Sequence, residues 1–343
     1  HTHTHTFVSL IGTWRKRGWC VLEMFISYLC DKKILHIKST DYIPEWISSF
    51  DVQSLAVGMS NFTCCQRNHV DYKECDRELS TRILSKALKR KCVSLFANKD
   101  SDKVISRWYR CFRPRWMRNA KGQQQYDKED DDVKSLKSFM ECLKWKNTKE
   151  FFDEKRVSIL LYASVYGKET IVREILDKTK ENKEVLHARI RKQGYTEVAI
   201  PGACTALNLA MSCSSPNISI MLLESGANPY DTDINGLDPL MCASVVGQLE
   251  CVKMWLERFK NWDLNRKDTL FGGNALISCA SVGVYNKLEI TKLIVRRGGD
   301  LERRGSAGST VLMSACRSKD ADLDQIKYLL KSCPDMINKR YDP

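Results

Sequence analysis

No stretch of this 343-residue chain reaches the roughly 20 consecutive apolar residues that crossing a bilayer requires; the best, residues 21–30, is interrupted by Glu23. The opening His1-Thr2-His3-Thr4-His5-Thr6 has neither the basic flank nor the apolar core of a secretory signal, and no initiator Met precedes it. An even, closely spaced cysteine framework is lacking as well, because the fifteen cysteines are odd in number and scattered from Cys20 to Cys333. A disulfide-stapled secreted domain is therefore excluded, and a reducing compartment with free thiols is expected, the cytoplasm or alternatively the nucleus. The sequons Asn61-Phe62-Thr63 and Asn217-Ile218-Ser219 would matter only in a secreted chain.

What the chain has in excess is positive charge. Lys and Arg number 55 against 42 Asp and Glu, a formal net charge of +13. Residues 1–150 carry 28 basic and 18 acidic side chains, so the basicity lies mainly in the N-terminal part. Residues 82–121 alone hold 13 basic side chains and 2 acidic ones, Asp100 and Asp102. Apolar content of 43% and charged content of 28% are those of a chain that buries a core.

Internal repetition decides the architecture of the C-terminal part. Five apolar segments, starting at Ser158, Thr205, Asp238, Asn274 and Ser309, align on Ala163, Ala210, Ala243, Ala280 and Ala315. The alanines are 47, 33, 37 and 35 residues apart. After each segment comes a glycine or small polar turn, then a second run with apolar residues at helical spacing, such as Ile171, Val172, Ile175 and Leu176, or Ile290, Leu293 and Ile294. Turn signals close the unit: Ser225-Gly226-Ala227-Asn228, Gly298-Gly299-Asp300 and the tip Asn235-Gly236.

This grammar resembles the ankyrin repeat family over residues 157–343. Asp238-Pro239-Leu240-Met241-Cys242-Ala243 stands where the family has T-P-L-H-x-A, with Asp for Thr and Met for His; no repeat in this chain keeps that His. The fold class expected is mainly α: an ankyrin solenoid of helix-turn-helix repeats with hairpin tips, preceded by a small α/β module. Repeats fall at about 157–203, 204–236, 237–273, 274–308 and 309–343, with residues 178–203 an extended loop inserted in the first. Leu136, Phe139, Met140 and Leu143, spaced i, i+3, i+4, i+7, mark an N-terminal capping helix within a 134–343 domain. Residues 121–133 are polar, of low complexity and acidic at the end, which reads as a linker. The last residues lead toward a further repeat or cap, so the chain is expected to be a fragment at both ends.

The N-terminal module, residues 7–120, opens on an amphipathic helix from Trp14 and continues with a strand candidate, 33–37, a helix-then-strand order of an α/β unit. The element Trp19-Cys20-Val21-Leu22-Glu23 is similar to one helix of TIR domains. In enzymatic members a glutamate in that place acts in cleaving NAD, and the resemblance makes Glu23 a catalytic candidate. Such a site also requires preceding strands to hold the nucleotide, and eighteen residues precede Trp19. The layout resembles, too, ankyrin proteins of unicellular eukaryotes that carry an R-G-W-C-x-x-E segment ahead of their repeats.

Two further groups of residues stand out in this module. Cys64, Cys65, His69 and Cys75 offer three thiols and an imidazole within twelve residues, a donor set for Zn2+, against which adjacent cysteines and the lack of a paired C-x2-C knuckle favour ordinary free thiols. Arg107, Trp108, Arg110, Arg113, Arg115 and Trp116 interleave guanidinium groups with aromatics. That pattern suits base stacking and phosphate neutralisation, or an acidic membrane face, and equally a folded module with Arg-aromatic stacking inside it.

Basic pairs also recur at the repeat tips: Arg266-Lys267, Arg303-Arg304 and Lys339-Arg340, 37 and 36 residues apart. Stacked repeats turn these into a ladder of charge suited to an acidic segment of a protein partner. No nucleophile-base pair or phosphate loop is present in the repeats, whose one histidine, His187, lies in the inserted loop. The expected function is a non-enzymatic protein-binding scaffold without a cofactor, Zn2+ apart. A TIR-like NAD hydrolase regulated by the repeats is the alternative, and a nucleic-acid- or membrane-binding module the third reading.

Overall fold

Gly18 starts the first helix because of what lies against it. A Cβ at this position would stand 1.9 Å from the Phe62 ring, and the Gly18 N–H donates to the Asn61 carbonyl at 2.9 Å. Helix α1, Gly18–Leu29, buries Val21, Leu22, Met24, Phe25 and Leu29 and leaves Glu23 on its exposed side. The computed structural model describes residues 17–36, 45–48, 51–52, 55–70, 74–97, 100–118, 131–147, 149–270, 272–282, 285–318 and 321–338. Lys339 and Arg340, most of the linker (121–130), and residues 1–16 lie outside the described residues.

The chain forms two units, His1–Asp131 with Thr196–Ala199, and Asp132–Tyr195 with Ile200–Pro343. In the first, strands β1 (Leu35–His36) and β2 (Glu45–Trp46) pair antiparallel with Leu35 opposite Trp46. Short helix α2 (Thr63–Gln66) precedes the long α3 (Asp76–Phe96), whose first turn carries Asp76 and Glu78 at the positive end of the helix dipole. Helix α3 buries a single stripe, Ser80, Leu84, Leu88 and Cys92, against α1 and α4 (Asp100–Trp116). Small Ser106 lets α3 and α4 approach closely, its hydroxyl donating to the Cys92 carbonyl at 2.9 Å. Among the described residues this module is helical with one two-residue ladder, so helix packing, not a sheet, supplies its core.

The second unit opens on α5 (Leu136–Cys142), capped by a reciprocal Ser135–Ser138 box. Leu136, Phe139, Met140 and Leu143 are all buried, with the Phe139 ring 5.1 Å from that of Tyr166. The Leu136 N–H donates to Glu174 Oε2 at 2.6 Å and the Lys168 ammonium to the Val133 carbonyl at 3.0 Å, which ties α5 to the first repeat.

Five helix pairs follow: α6 (Ile159–Tyr166) and α7 (Glu169–Lys178), then, past the short α8 (Lys183–Leu186), α9 (Ala206–Cys213) and α10 (Pro216–Glu224). Next are α11 (Pro239–Val246) and α12 (Leu249–Arg258), α13 (Ala275–Val282) and α14 (Lys287–Arg296), and α15 (Val311–Arg317) and α16 (Leu323–Ser332). First helices pack in a row, α6 on α9, α9 on α11, α11 on α13 and α13 on α15, and second helices form a parallel outer row. All eight residues of α6 and of α11 are buried, as a helix covered on every side must be. The five aligned alanines each have 0% exposure, since only a small side chain fits between adjacent first helices.

The insert at 178–203 is more ordered than an extended loop. It holds α8, a 3-10 turn at Thr196–Val198, and a Tyr195–Ile200 bridge, and it buries Val185, Ile190, Tyr195 and Ile200. These apolar side chains, set among the charged Lys192 and Glu197, give the segment a reason to fold. Among the described residues, no helix is long and apolar enough to cross a membrane.

Candidate functional site

Each first helix is started by a side chain that accepts a backbone N–H: Ser158 from Leu160, Thr205 from Asn208, Asp238 from Met241, Asn274 from Ile277, and Thr310 from Met313. Ahead of these caps the tips close as tight turns rather than paired strands. Asp153, Asp233 and Gly305 each donate their N–H to the carbonyl four residues on, and Asp268 to the carbonyl of Gly273. The Asp233 Oδ1 accepts from the N–H groups of Asn235 at 2.8 Å and Leu237 at 3.0 Å, locking the Asn235-Gly236 tip.

Burial pushes the Asp233 carboxyl up from its ordinary 3.8 to about 6, against the pull of those two backbone donors. The protonated form is thus favoured in the folded state, and its contribution to stability is complete below about pH 4 and lost as pH rises through about 6. Wild-type protein should lose at most about 3 kcal/mol across that window, and Asp233→Asn, whose amide oxygen can accept the same two bonds, should not. Denaturation midpoints measured from pH 4 to pH 7 check this; parallel curves for the two proteins would refute it.

The inner face of the later pairs holds an open cavity of about 300 Å3 lined by Leu270, Ile277, Ser281, Ser306, Ser314 and Arg317, among others. Ile277 and Ser281 come from α13 and Ser314 and Arg317 from α15, while Leu270 and Ser306 come from tips. A groove floored by first helices and walled by tips is thereby formed, with five serines, one apolar side chain on the floor (Ile277), one on a tip (Leu270) and one guanidinium. The tips nearby expose large apolar groups, Leu270 at 49%, Ile234 at 44% and Tyr230 at 63%.

The family model for ankyrin repeats matches residues 240–340 in three copies, the stretch that carries α11 to α16 and this groove. Residues 240–340 are ankyrin repeats. The chain is also similar to the rat "Ankyrin repeat and SAM domain-containing protein 6", 33% identical over 105 residues. That match covers 31% of this chain and 11% of the relative's length. The missing family His leaves the ankyrin tips intact because the cap bond needs only the backbone N–H of Met241, which Asp238 Oδ1 accepts at 2.9 Å.

Within the ankyrin array the tip cations are not one continuous charged edge. Arg266 lies 4.0 Å from the buried Asp238 carboxylate, with its guanidinium 5.9 Å from the ring centroids of both Tyr230 and Trp262. Arg303 is half-buried and Arg304, half-buried too, donates to the Gly308 carbonyl of its own turn at 3.2 Å. Of the four described tip cations, Lys267 alone is exposed. Arg266 thus faces its own array's tips, and its reversal to Glu would set a second carboxylate beside buried Asp238. The residues that replace it as contact candidates, Leu270, Tyr230 and Arg317, were announced in the sequence only by Tyr230 standing where other tips have a basic pair.

In the N-terminal unit the arginine-aromatic run is interior. Trp108 and Trp116 are 0% exposed, and Arg107, Arg113 and Arg115 are buried. Phe112 and Trp116 stack at 5.3 Å and 12°, with Phe25 and Tyr109 against the same indole at 5.7 and 5.8 Å. A base-stacking platform on these indoles is thus ruled out, since no base can reach them without opening the core. Arg110 keeps intermediate exposure. Glu23 sits on the solvent side of α1, and among the described residues the strand ladder of this unit is antiparallel and two residues long, not the parallel-sheet crevice that seats a nucleotide.

Cys64, Cys65, His69 and Cys75 are brought together, with their four donor atoms within 4.8 Å of one another. Burial, with the hydrogen bonds the Cys65 thiol shares with Cys75 and Cys64, pushes that thiol up to about 12. At Cys75 burial is outweighed by the backbone N–H groups of Glu78 and Arg77 and by His69, and that thiol is lowered.

Proposed function

We propose that this ankyrin repeat protein is a non-enzymatic scaffold that receives an extended acidic segment of a protein partner along the groove of its last two helix pairs. Ankyrin repeats serve protein–protein interaction. The observation that carries the finer reading is the convergence of tips and first helices on one open cavity that carries exposed Arg317, with exposed Lys267 on the tip that supplies Leu270. The serine hydroxyls can donate to and accept from an extended backbone, Leu270 and Ile277 offer apolar contact, and the two cations set charge preference and encounter rate.

Lys267→Glu with Arg317→Glu tests the reading without threatening the fold, since exposed surface substitutions cost about 0.5 kcal/mol or less. Association of fluorescent acidic peptides should slow by about tenfold at low salt, with a shallower dependence on ionic strength. Lys260→Glu, exposed and away from the groove, should leave both unchanged. If the double variant binds acidic peptides as wild type does, with the same salt dependence, the groove is not the receiving surface.

A further inference from the structure

The thiol and imidazole cluster of the N-terminal unit has the dimensions of a metal centre. Zn2+ takes four donors in a tetrahedron at about 2.3 Å to sulfur and about 2.0–2.1 Å to nitrogen, so the edges of that tetrahedron are about 3.8 Å between sulfurs and about 3.5 Å between sulfur and nitrogen. Cys64 Sγ to Cys65 Sγ is 3.8 Å, Cys65 Sγ to Cys75 Sγ is 3.7 Å, and His69 Nε2 to Cys75 Sγ is 3.3 Å.

The chain achieves this in spite of an unpromising spacing. Cys64 and Cys65 are neighbours on α2, yet the helical turn leaves both sulfurs on the side that faces the start of α3. Asn68 and His69 then both adopt positive φ, 50° and 60°, a pair of left-handed residues that folds the chain back on α2. The His69 N–H closes that reversal by donating to the Cys64 carbonyl at 2.8 Å. Cys75 is the N-cap residue of α3, so its sulfur stands at the positive end of a 21-residue helix. The Asp76 N–H donates to Cys64 Sγ at 3.3 Å, the kind of supporting bond that orients and stabilises a ligating thiolate.

We propose that Cys64, Cys65, His69 and Cys75 bind one Zn2+ ion and that this centre fastens α2 and its loop to the start of α3. Three thiols and an imidazole select a soft or borderline cation over Mg2+ or Ca2+. Four protein donors complete the coordination and leave no position for water or substrate, so the centre is structural and not catalytic. On binding, each thiol releases its proton to solvent as its sulfur takes the metal. Three thiolates with neutral His69 around Zn2+ carry a formal charge of −1, which the dipole of α3 favours.

The test uses the full chain. Protein purified from zinc-supplemented cells and dialysed without chelator should hold one zinc ion per chain by elemental analysis. Three thiols should become reactive toward a thiol reagent only after chelation. Replacement by Co2+ should give the strong visible ligand-field bands of tetrahedral cobalt with sulfur-to-cobalt charge transfer in the near ultraviolet. Cys65→Ser and Cys75→Ser should lose the metal, and His69→Cys should keep it with an altered cobalt spectrum, which holds the proposal open to test even where a serine variant fails to fold. Wild-type protein with substoichiometric zinc, six-coordinate cobalt spectra, or a Cys65–Cys75 disulfide in zinc-grown protein would each overturn it.

Discussion

Trp116→Ala should lower the stability of the N-terminal unit by about 3–5 kcal/mol, the range for removing a fully buried large aromatic side chain. The indole is 0% exposed and contacts rings from two directions: Phe112 stacked on it from its own helix, and Phe25 from α1. Loss of the indole leaves a cavity between α1 and α4 that neighbouring rings, themselves held by packing, fill only in part. Trp116→Phe should cost roughly half as much, because a ring remains for Phe112 and Phe25 to meet. Trp19→Ala, at a position 42% exposed, should cost far less than either. Hydrogen exchange over residues 17–118 reads the effect where it is expected. A Trp116→Ala protein of unchanged stability but weakened binding to single-stranded DNA would restore the arginine-aromatic run as a surface.

That run shows which features of this protein were legible in the sequence and which were not. Trp108, Phe112 and Trp116 are spaced i, i+4, i+8 on one stripe of α4, so helical periodicity alone marks them as candidates for a core. The intervening arginines disguised this, and no local rule announces that Arg107, Arg113 and Arg115 would be buried along with them. The tip cations went unread for a related reason. Their recurrence is written in the sequence, but their exposure depends on residues a whole repeat away, as Asp238 and Tyr230 do for Arg266. The cysteine and histidine residues were visible as a donor set, whereas their convergence depends on left-handed backbone at Asn68 and His69, which no spacing rule encodes.

The mainly α solenoid, by contrast, was legible because one physical constraint recurs five times. Ala163, Ala210, Ala243, Ala280 and Ala315 sit where neighbouring first helices meet, and the caps Ser158, Thr205, Asp238, Asn274 and Thr310 start each of those helices with a side-chain acceptor. Stacked repeats touch only their neighbours, so each interface must be satisfied locally and each leaves its mark on the sequence at nearly the same interval.

The same constraint makes Ala243→Leu costly, by about 3 kcal/mol. Helix α11 is buried on every side and packs between α9 and α13, so three added carbons have no solvent-facing rotamer to escape into. Either the leucine adopts a strained rotamer or α11 moves away from a neighbour and opens a gap along the row of first helices. In an array of nearest-neighbour contacts the second outcome weakens coupling across that interface, and unfolding should change from one transition to two. Glu257→Leu, which adds comparable apolar bulk on the exposed side of α12, should shift the midpoint by about 0.5 kcal/mol or less and keep a single transition. Chemical denaturation followed by circular dichroism separates these outcomes. An Ala243→Leu protein as stable as wild type would mean that the first helices are not in close contact at the aligned alanine, and with that the physical reason offered for the repeat period would fall.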